Sequence, residues 1–363
     1  MKWPGRRRAC AAGALLAGAA LLASCASLNY YGQAAHGQLA LLSEARPIDA
    51  WMADPNTNPR LRVRLETARQ IRRYAVQELA LPDNDSYKNY AALTRPYVLW
   101  NVVATPELSL KPIQWCFPVA GCVNYRGYYS KDDAQAYAAE LRAAGDDVEV
   151  GGVTAYSTLG WFNDPLISTF IHYPDAELAR LIFHELAHQV VYVPGDSQFN
   201  ESFASAVEEA GVARWLAQYG NESMRAGYAR YLDRKRDFLA LLLKIRGALE
   251  ANYQSSKPVA EQRAVKARLF QQLKDEYQGL KTSWGGYAGY DRFFAEPLSN
   301  AHLASVATYN DFVPAFRTLL RRDASLPRFY ADVRALAALD KDARHAQLKK
   351  LAAIGNAQVA AAP

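Results

Sequence analysis

The feature that most constrains the fold is a change of texture near residue 174. From Pro174 to the end of the chain, apolar residues recur at three- and four-residue intervals, the spacing of amphipathic helices. Between about residues 97 and 160 the pattern differs, with short apolar runs punctuated by Pro and Gly, as in strands and turns. Val98-Leu99-Trp100-Asn101-Val102-Val103 and Asp147-Val148-Glu149-Val150, continued through Thr158, are the expected strands. One helix, roughly Lys131 to Ala144, interrupts them and stops at Gly145. Another amphipathic helix is expected from about Leu61 to Leu81, and no internal repeat is present. A small mixed β region followed by a mainly helical body is the α+β class. The spacing places the folded domain at residues 61–355, with its β-containing part at about 97–160 and its helical part at 174–355. Residues 25–60 form an N-terminal anchor segment, and residues 356–363 a frayed Ala-rich tail.

The first eight residues, Met1-Lys2-Trp3-Pro4-Gly5-Arg6-Arg7-Arg8, are basic and contain no acid. The apolar run that follows, Ala11 to Ala23, falls short of the about 20 residues that span a bilayer. This is the pattern of a secretory signal, here residues 1–24. The run closes on Leu22-Ala23-Ser24-Cys25, which resembles a lipobox, the cleavage site of bacterial lipoprotein signal peptides. The resemblance implies a diacylglyceryl group on Cys25, which becomes the first mature residue. Ala26 after it implies the outer rather than the inner membrane, with the body facing the periplasm of the cell envelope. No second run of 18 apolar residues occurs, so a soluble body tethered by its lipid is expected.

Loss of the signal removes Lys2, Arg6, Arg7 and Arg8, leaving 38 of 42 basic residues against 36 acidic ones, a net charge of about +2. The basic apparent pI therefore owes much to the signal and does not argue for nucleic acid. Lys and Arg on the helices near Met224–Gln254 and Pro258–Gly279 are the solvated faces of those helices. In an oxidising compartment, Cys116 and Cys122, which flank a Pro/Gly turn, are expected to form a disulfide. A structural zinc site is excluded there, because no second Cys/His pair stands nearby.

His184-Glu185-Leu186-Ala187-His188 is an HExxH segment. On a helix, its two histidines project from one face a turn apart and can share a metal ion. Pro174, Asp175 and Glu177 suit a helix start, Leu178, Ile182, Leu186 and Val190 form an apolar stripe, and Pro194-Gly195 ends the run. Neutral imidazoles are common zinc ligands, and Glu185 between them is free to act on a water as base. A second helix is expected from about Gln198 to Tyr219, with Glu201, Ser205, Glu208, Val212 and Trp215 on one face. If the two helices are antiparallel, His188 and Glu201 lie at similar depth on either side of the turn. Zn2+ would then have three protein ligands and an open fourth position, as a catalytic site needs. Glu208, deeper on the same face, could orient a ligand histidine or remain an ordinary acid.

HELAH followed by Phe199-Asn200-Glu201-Ser202-Phe203-Ala204 resembles the gluzincin metallopeptidases, whose alanyl-aminopeptidase members carry an Asn-Glu-x-Phe-Ala segment. The chain resembles more closely the bacterial family described as predicted aminopeptidases, typically secreted lipoproteins. The resemblance rests on Tyr30-Tyr31-Gly32-Gln33-Ala34 with Pro47-Ile48, on Tyr125-Arg126-Gly127-Tyr128, and on Ala155 to Phe162. It also rests on the HELAH segment, on Leu298-Ser299-Asn300-Ala301, and on Thr308-Tyr309-Asn310. It implies a gluzincin-like body, zinc, His184 and His188 as ligands, Glu185 as base, and a peptide or protein substrate. In the better-known gluzincins the Glu ligand lies nineteen residues after the second histidine, whereas Glu201 lies thirteen after it. Glu208 and Glu209 are the alternatives.

Aminopeptidases also need a carboxylate for the substrate's α-amine. The stretch Gly151 to Trp161, which would carry it, has no acid and is flanked by Glu149 and Asp164. That stretch could be an edge strand that pairs with an extended peptide, or a core strand. For the oxyanion, Tyr309 is the first choice among Tyr309, Tyr290, Tyr287 and His302. The rival functions are a periplasmic endopeptidase for misfolded envelope proteins and a non-catalytic, zinc-containing binding lipoprotein. Glu185 argues against the last, since a purely structural site does not need it.

Overall fold

The computed structural model describes residues 29–117, 121–304, 306, 312–323 and 325–360, the last five by their backbone alone. Cys25 and Tyr309 lie outside the described residues. Helix α1 (29–44) leads into strand β1 (Arg46–Pro47) and helix α2 (Ile48–Ala53). Leu41 and Ile48 are buried in the main core, so this segment packs on the body. Helix α3 (Pro59–Gln77) starts where the Asn58 side chain accepts from the Arg60 amide, with Pro59 in its first turn. It buries Leu65, Ala68, Ile71, Tyr74 and Ala75 along one stripe.

The β region is small. Strand β2 (Asn89–Ala91) pairs antiparallel with β1 and parallel with β8 (Leu166–Ile167). A second sheet has β3 (Leu99–Pro106) at its centre, flanked antiparallel by β6 (Arg126–Tyr128) and β7 (Asp146–Val153). Its register sets Val102 opposite Val150 and Ala104 opposite Val148. The face holding Val102, Ala104 and Val148 is covered by helix α4 (Lys131–Ala143) through Ala134 and Ala138. Strands β4 (Trp115–Phe117) and β5 (Gly121–Val123) form a hairpin with Cys116 opposite Cys122. The two sulfurs are 1.99 Å apart, at bonding distance.

The expected strand through Thr158 stops at Val153. Beyond it the Asp164 carboxylate accepts from the amide and hydroxyl of Thr158, at 2.9 and 2.7 Å. Leu159 and Gly160 have φ of 58° and 82°. These local side-chain bonds compete with sheet pairing and draw the chain into a loop that leaves Trp161 and Phe162 exposed.

Helices α5 (Asp175–His188), α6 (Ser197–Tyr219), α7 (Glu222–Tyr253) and α8 (Val259–Ser283) begin the body. After a 3-10 turn at Asp291–Phe294 come α9 (Asn300–Ala304), α10 (Val313–Arg322), α11 (Leu326–Ala337) and α12 (Lys341–Ala360). Phe203 on α6 is fully buried among Phe316, Phe329 and Tyr330, with ring centroids 5.8, 5.9 and 6.2 Å away. Burial of such a ring contributes about 3–5 kcal/mol by the cost of truncating it. Helices α7 and α8 close a second core on Leu241, Ile245, Leu249, Leu273 and Tyr277. Small sheets and a helical body make the fold α+β. No helix among the described residues is long and apolar enough to cross a membrane.

Candidate metal centre and active site

Helix α5 runs into the site and ends there. Its apolar residues Leu178, Leu181, Ile182 and Leu186 are buried, which turns the Arg180–His184–His188 stripe toward α6. His188 is the last helical residue, and the chain leaves at Gln189, earlier than the Pro194-Gly195 boundary expected from sequence. Asn84 donates to the Gln189 side-chain carbonyl at 2.6 Å and the Gln189 amide donates to Ser86 at 3.2 Å. These bonds hold the end of α5 against the loop before β2.

The return into α6 is fixed by polar contacts. Asp196 caps α6 by accepting from the Phe199 amide at 3.2 Å. Asn200 accepts from the Val193 amide at 2.8 Å and donates to the Val193 carbonyl at 2.9 Å. The Asp196 carboxylate is buried and takes Arg344 at 2.8 Å and His345 at 2.9 Å from α12. Burial would raise its pKa, but the bonds from Arg344, Phe199 and His345 outweigh this and lower it. Removing either member of such a buried pair costs about 3–5 kcal/mol. Gly211 lets α6 lie close on α5, since a Cβ there would meet Leu79 and Phe183 at 2.7 and 2.8 Å.

This scaffold brings His184, His188 and Glu201 together, with one ligand atom of each within 4.8 Å of the others. The Nε2 atoms of the histidines are 3.2 Å apart. Glu201 places one oxygen 3.3 Å from His184 Nε2 and the other 3.8 Å from His188 Nε2. Tetrahedral zinc with bonds of about 2.0–2.1 Å has ligand–ligand edges of about 3.3 Å. The donor set and its spacing therefore fit zinc.

Glu208 stands behind His184. One oxygen lies 2.9 Å from His184 Nδ1 and 3.0 Å from Arg180 Nη1, and Lys235 stands 3.8 Å from the other. Burial would raise the Glu208 carboxyl, yet Arg180 and the His184 bond hold it down at about 2. An ionised Glu208 can only accept, so His184 Nδ1 carries a proton, and Nε2 is the nitrogen left facing Glu201 and His188. Glu209, the other alternative ligand, faces away and pairs with Arg317 at 2.7 Å.

The electrostatics divide by position. Burial lowers His184, but its bonds to Glu201 and Glu208 raise it to about 10, so this pocket favours positive charge. Burial lowers His188 to about 4 and raises Glu185 to about 7. His188 Nδ1 is buried with no hydrogen-bond partner among the described residues. Tyr87, at φ 64°, lies within electrostatic reach of Glu185, with its hydroxyl buried and likewise unpartnered among them.

The other residues singled out from sequence fall elsewhere. Tyr290 stacks on Phe238 with centroids 4.0 Å apart, Tyr287 lies under Arg234, and His302 sits against Phe293 and Ser299. Glu149 is on β7 opposite Val103. Two tyrosines given no role from sequence do reach the site. Tyr192 has its ring 6.3 Å from that of His188, and Tyr125 lies within electrostatic reach of Glu201, Tyr192 and Glu185. The signal for Tyr125 was its segment's family resemblance alone.

No curated protein and no solved structure matches the chain. A family described as "Putative aminopeptidase" matches residues 29–348, nearly the whole of the described protein. Its members' description places the chemistry with the peptidases. By that match the chain belongs to the "Putative aminopeptidase" family.

Proposed function

We propose that the protein is a zinc-dependent peptidase, an aminopeptidase by preference, tethered to the envelope by a lipid on Cys25. The observation that carries this reading is the convergence of His184, His188 and Glu201 within 4.8 Å, with Glu185 on the same helix turn. His184 and His188 would hold the ion through Nε2 and Glu201 through its carboxylate. Zinc there would supply a Lewis acid for the scissile carbonyl and activation of a water.

The chain's own residues do the rest. Glu185, raised to about 7, is matched to proton transfer near neutral pH. Its carboxylate takes the proton of the attacking water and passes it to the leaving amine nitrogen. Glu208 and Arg180 hold His184 in orientation. Burial of Leu186, Ala187 and His188 keeps bulk water from the inner side of the site. The disulfide between Cys116 and Cys122, a periplasm-facing address at the outer membrane, and peptide or protein substrates belong to the same proposal.

One observation favours endopeptidase cleavage as a second reading. Asp164, an acid whose charge acts on Glu185, is only 3% exposed and already accepts two bonds from Thr158. It is therefore not free to bind a substrate α-amine. Full-length protein in detergent with zinc, assayed on matched peptides with free and acetylated N-termini, decides between them. Cleavage confined to free N-termini is expected, internal cleavage of both establishes the endopeptidase, and cleavage of neither refutes the peptidase reading.

A further inference from the structure

The loop that replaces the end of the expected strand presents two large aromatic side chains that the fold does not cover. Trp161 is 69% exposed and Phe162 46%. Neither ring meets another ring or a cation among the described residues. The loop is nevertheless braced. The Trp161 amide donates to the Thr158 carbonyl at 3.1 Å, and the Phe162 amide to the Thr158 hydroxyl at 3.1 Å. That hydroxyl donates in turn to the buried Asp164 carboxylate. The backbone that carries the two rings is therefore fixed before anything binds, which lowers the ordering a ligand must impose.

The loop lies at the end of α5, on the side of the helix that bears Glu185. A Cβ on Gly160 would stand 4.0 Å from Gln189 Cγ. Gln189 caps α5 and follows Glu185 by four residues, so the two side chains leave the helix on one side, about 6 Å apart along its axis. Residues 84–87 tie the helix end to the loop. Asn84 and Ser86 hold Gln189, while the Tyr87 amide donates to the Asp164 carbonyl at 2.6 Å. Trp161 and Phe162 thus follow directly on a residue that faces the helix end, one turn beyond Glu185. An extended peptide advances about 3.3 Å per residue, so this offset is that of one or two peptide residues.

The chemistry of the loop narrows what it can hold. Ala155 to Asn163 contain no charged residue, so the loop has no partner for an ammonium or a carboxylate. It offers two ring faces, against which an apolar side chain would leave water together with them. A lipid surface is the other apolar candidate, but segments that lie on membranes set Lys and Arg beside their aromatic residues, and this loop has neither. We propose that Trp161 and Phe162 form a subsite that selects peptides with a large apolar side chain within two residues of the scissile bond. The inference rests on the peptidase reading above and adds to it the class of substrate.

The test uses full-length protein in detergent with zinc and matched peptides that differ only by Phe or Gly at one of the two positions on either side of the cleaved bond. At one of these positions wild type should favour Phe by at least about tenfold in kcat/KM. Trp161→Ala with Phe162→Ala should bring that ratio to within about threefold of one, while Trp161→Phe alone keeps most of it. Melting temperature is measured on each protein, and if the double variant melts early, Trp161→Ser alone should still lower the ratio at least about threefold. A wild type that cleaves Phe and Gly peptides equally overturns this inference and leaves the peptidase reading standing, as does a double variant that keeps the preference. Vesicles of phosphatidylethanolamine and phosphatidylglycerol, mixed with Cys25→Ser protein, test the lipid alternative. Vesicle binding that the double variant loses while its peptide preference persists assigns the rings to the membrane and overturns the subsite. A wild type that cleaves neither peptide overturns both readings.

Discussion

Glu208→Gln isolates the residue that links the metal-type triad to the charged interior. The substitution keeps shape but removes a charge that Arg180 and His184 share at 3.0 and 2.9 Å. Both bonds end on the same oxygen, and a Gln carbonyl oxygen there can accept both, but the charge assistance that makes such bonds worth about 1.5–3 kcal/mol is lost. Arg180 also loses its counter-ion. Breaking a buried pair costs about 3–5 kcal/mol, and the 22% exposure of the Arg180 side chain places this case toward the low end. With no anionic acceptor on Nδ1, His184 is no longer confined to the tautomer that frees Nε2. Zinc affinity should fall by about 10–100-fold, as it does when a ligand histidine loses its carboxylate partner. Thermal melts of the metal-free protein give the stability, and competition with a chromophoric chelator gives the affinity. Adding Arg180→Met to Glu208→Gln removes the stranded charge, so stability should recover while zinc affinity does not. Zinc binding by Glu208→Gln within about twofold of the parent would refute the orienting role.

Two further outcomes follow from the structure and the sequence. Burial raises the Glu149 carboxyl to about 7 against an unfolded value near 4.5, so its contribution to stability is full below about pH 4.5 and lost as pH rises through 7. Glu149→Gln should therefore flatten the decline in melting temperature between about pH 5 and 8, with up to about 3 kcal/mol at stake at the upper end, and an unchanged pH profile would contradict the assignment. Cys25→Ser should abolish lipid labelling and move the protein from the membrane to the soluble envelope fraction. An unlabelled parent that is retained equally would remove the anchor.

Much of the site was legible because it is written in helical phase. His184, His188 and Arg180 recur every four residues on one helix, and Glu201 and Glu208 lie seven apart on the next. Periodicity fixes which side chains share a face, and Pro194-Gly195-Asp196 marks the turn that folds the faces together. The turn itself depends on partners that no local pattern names. Arg344 and His345 reach Asp196 from about 150 residues downstream, and their registration exists only in the folded core. The strand expected through Thr158 ends at Val153, because the buried Asp164 carboxylate accepts from the Thr158 amide and hydroxyl and closes the segment between them into a loop. Tyr125 could be flagged as part of a recognisable segment but not placed. The hairpin that precedes it meets the Pro194-Gly195 turn at Gly121, a contact between two glycines that carries no side-chain signature. Among the downstream tyrosines, stacking within the α7–α8 core claims Tyr290, while Tyr309 lies outside the described residues.

The central claim is that His184, His188 and Glu201 hold zinc while Glu185 moves protons, and metal content measured beside turnover tests it most directly. Glu185→Gln should retain zinc near one per chain and lose peptide hydrolysis by at least about 10²–10⁴-fold, with no rescue by added metal. Glu201→Gln should bind zinc weakly, because a neutral amide donates far less charge than a carboxylate, and excess zinc should restore part of its activity. Full zinc and full activity in Glu201→Gln, or an active Glu185→Gln, would contradict the account.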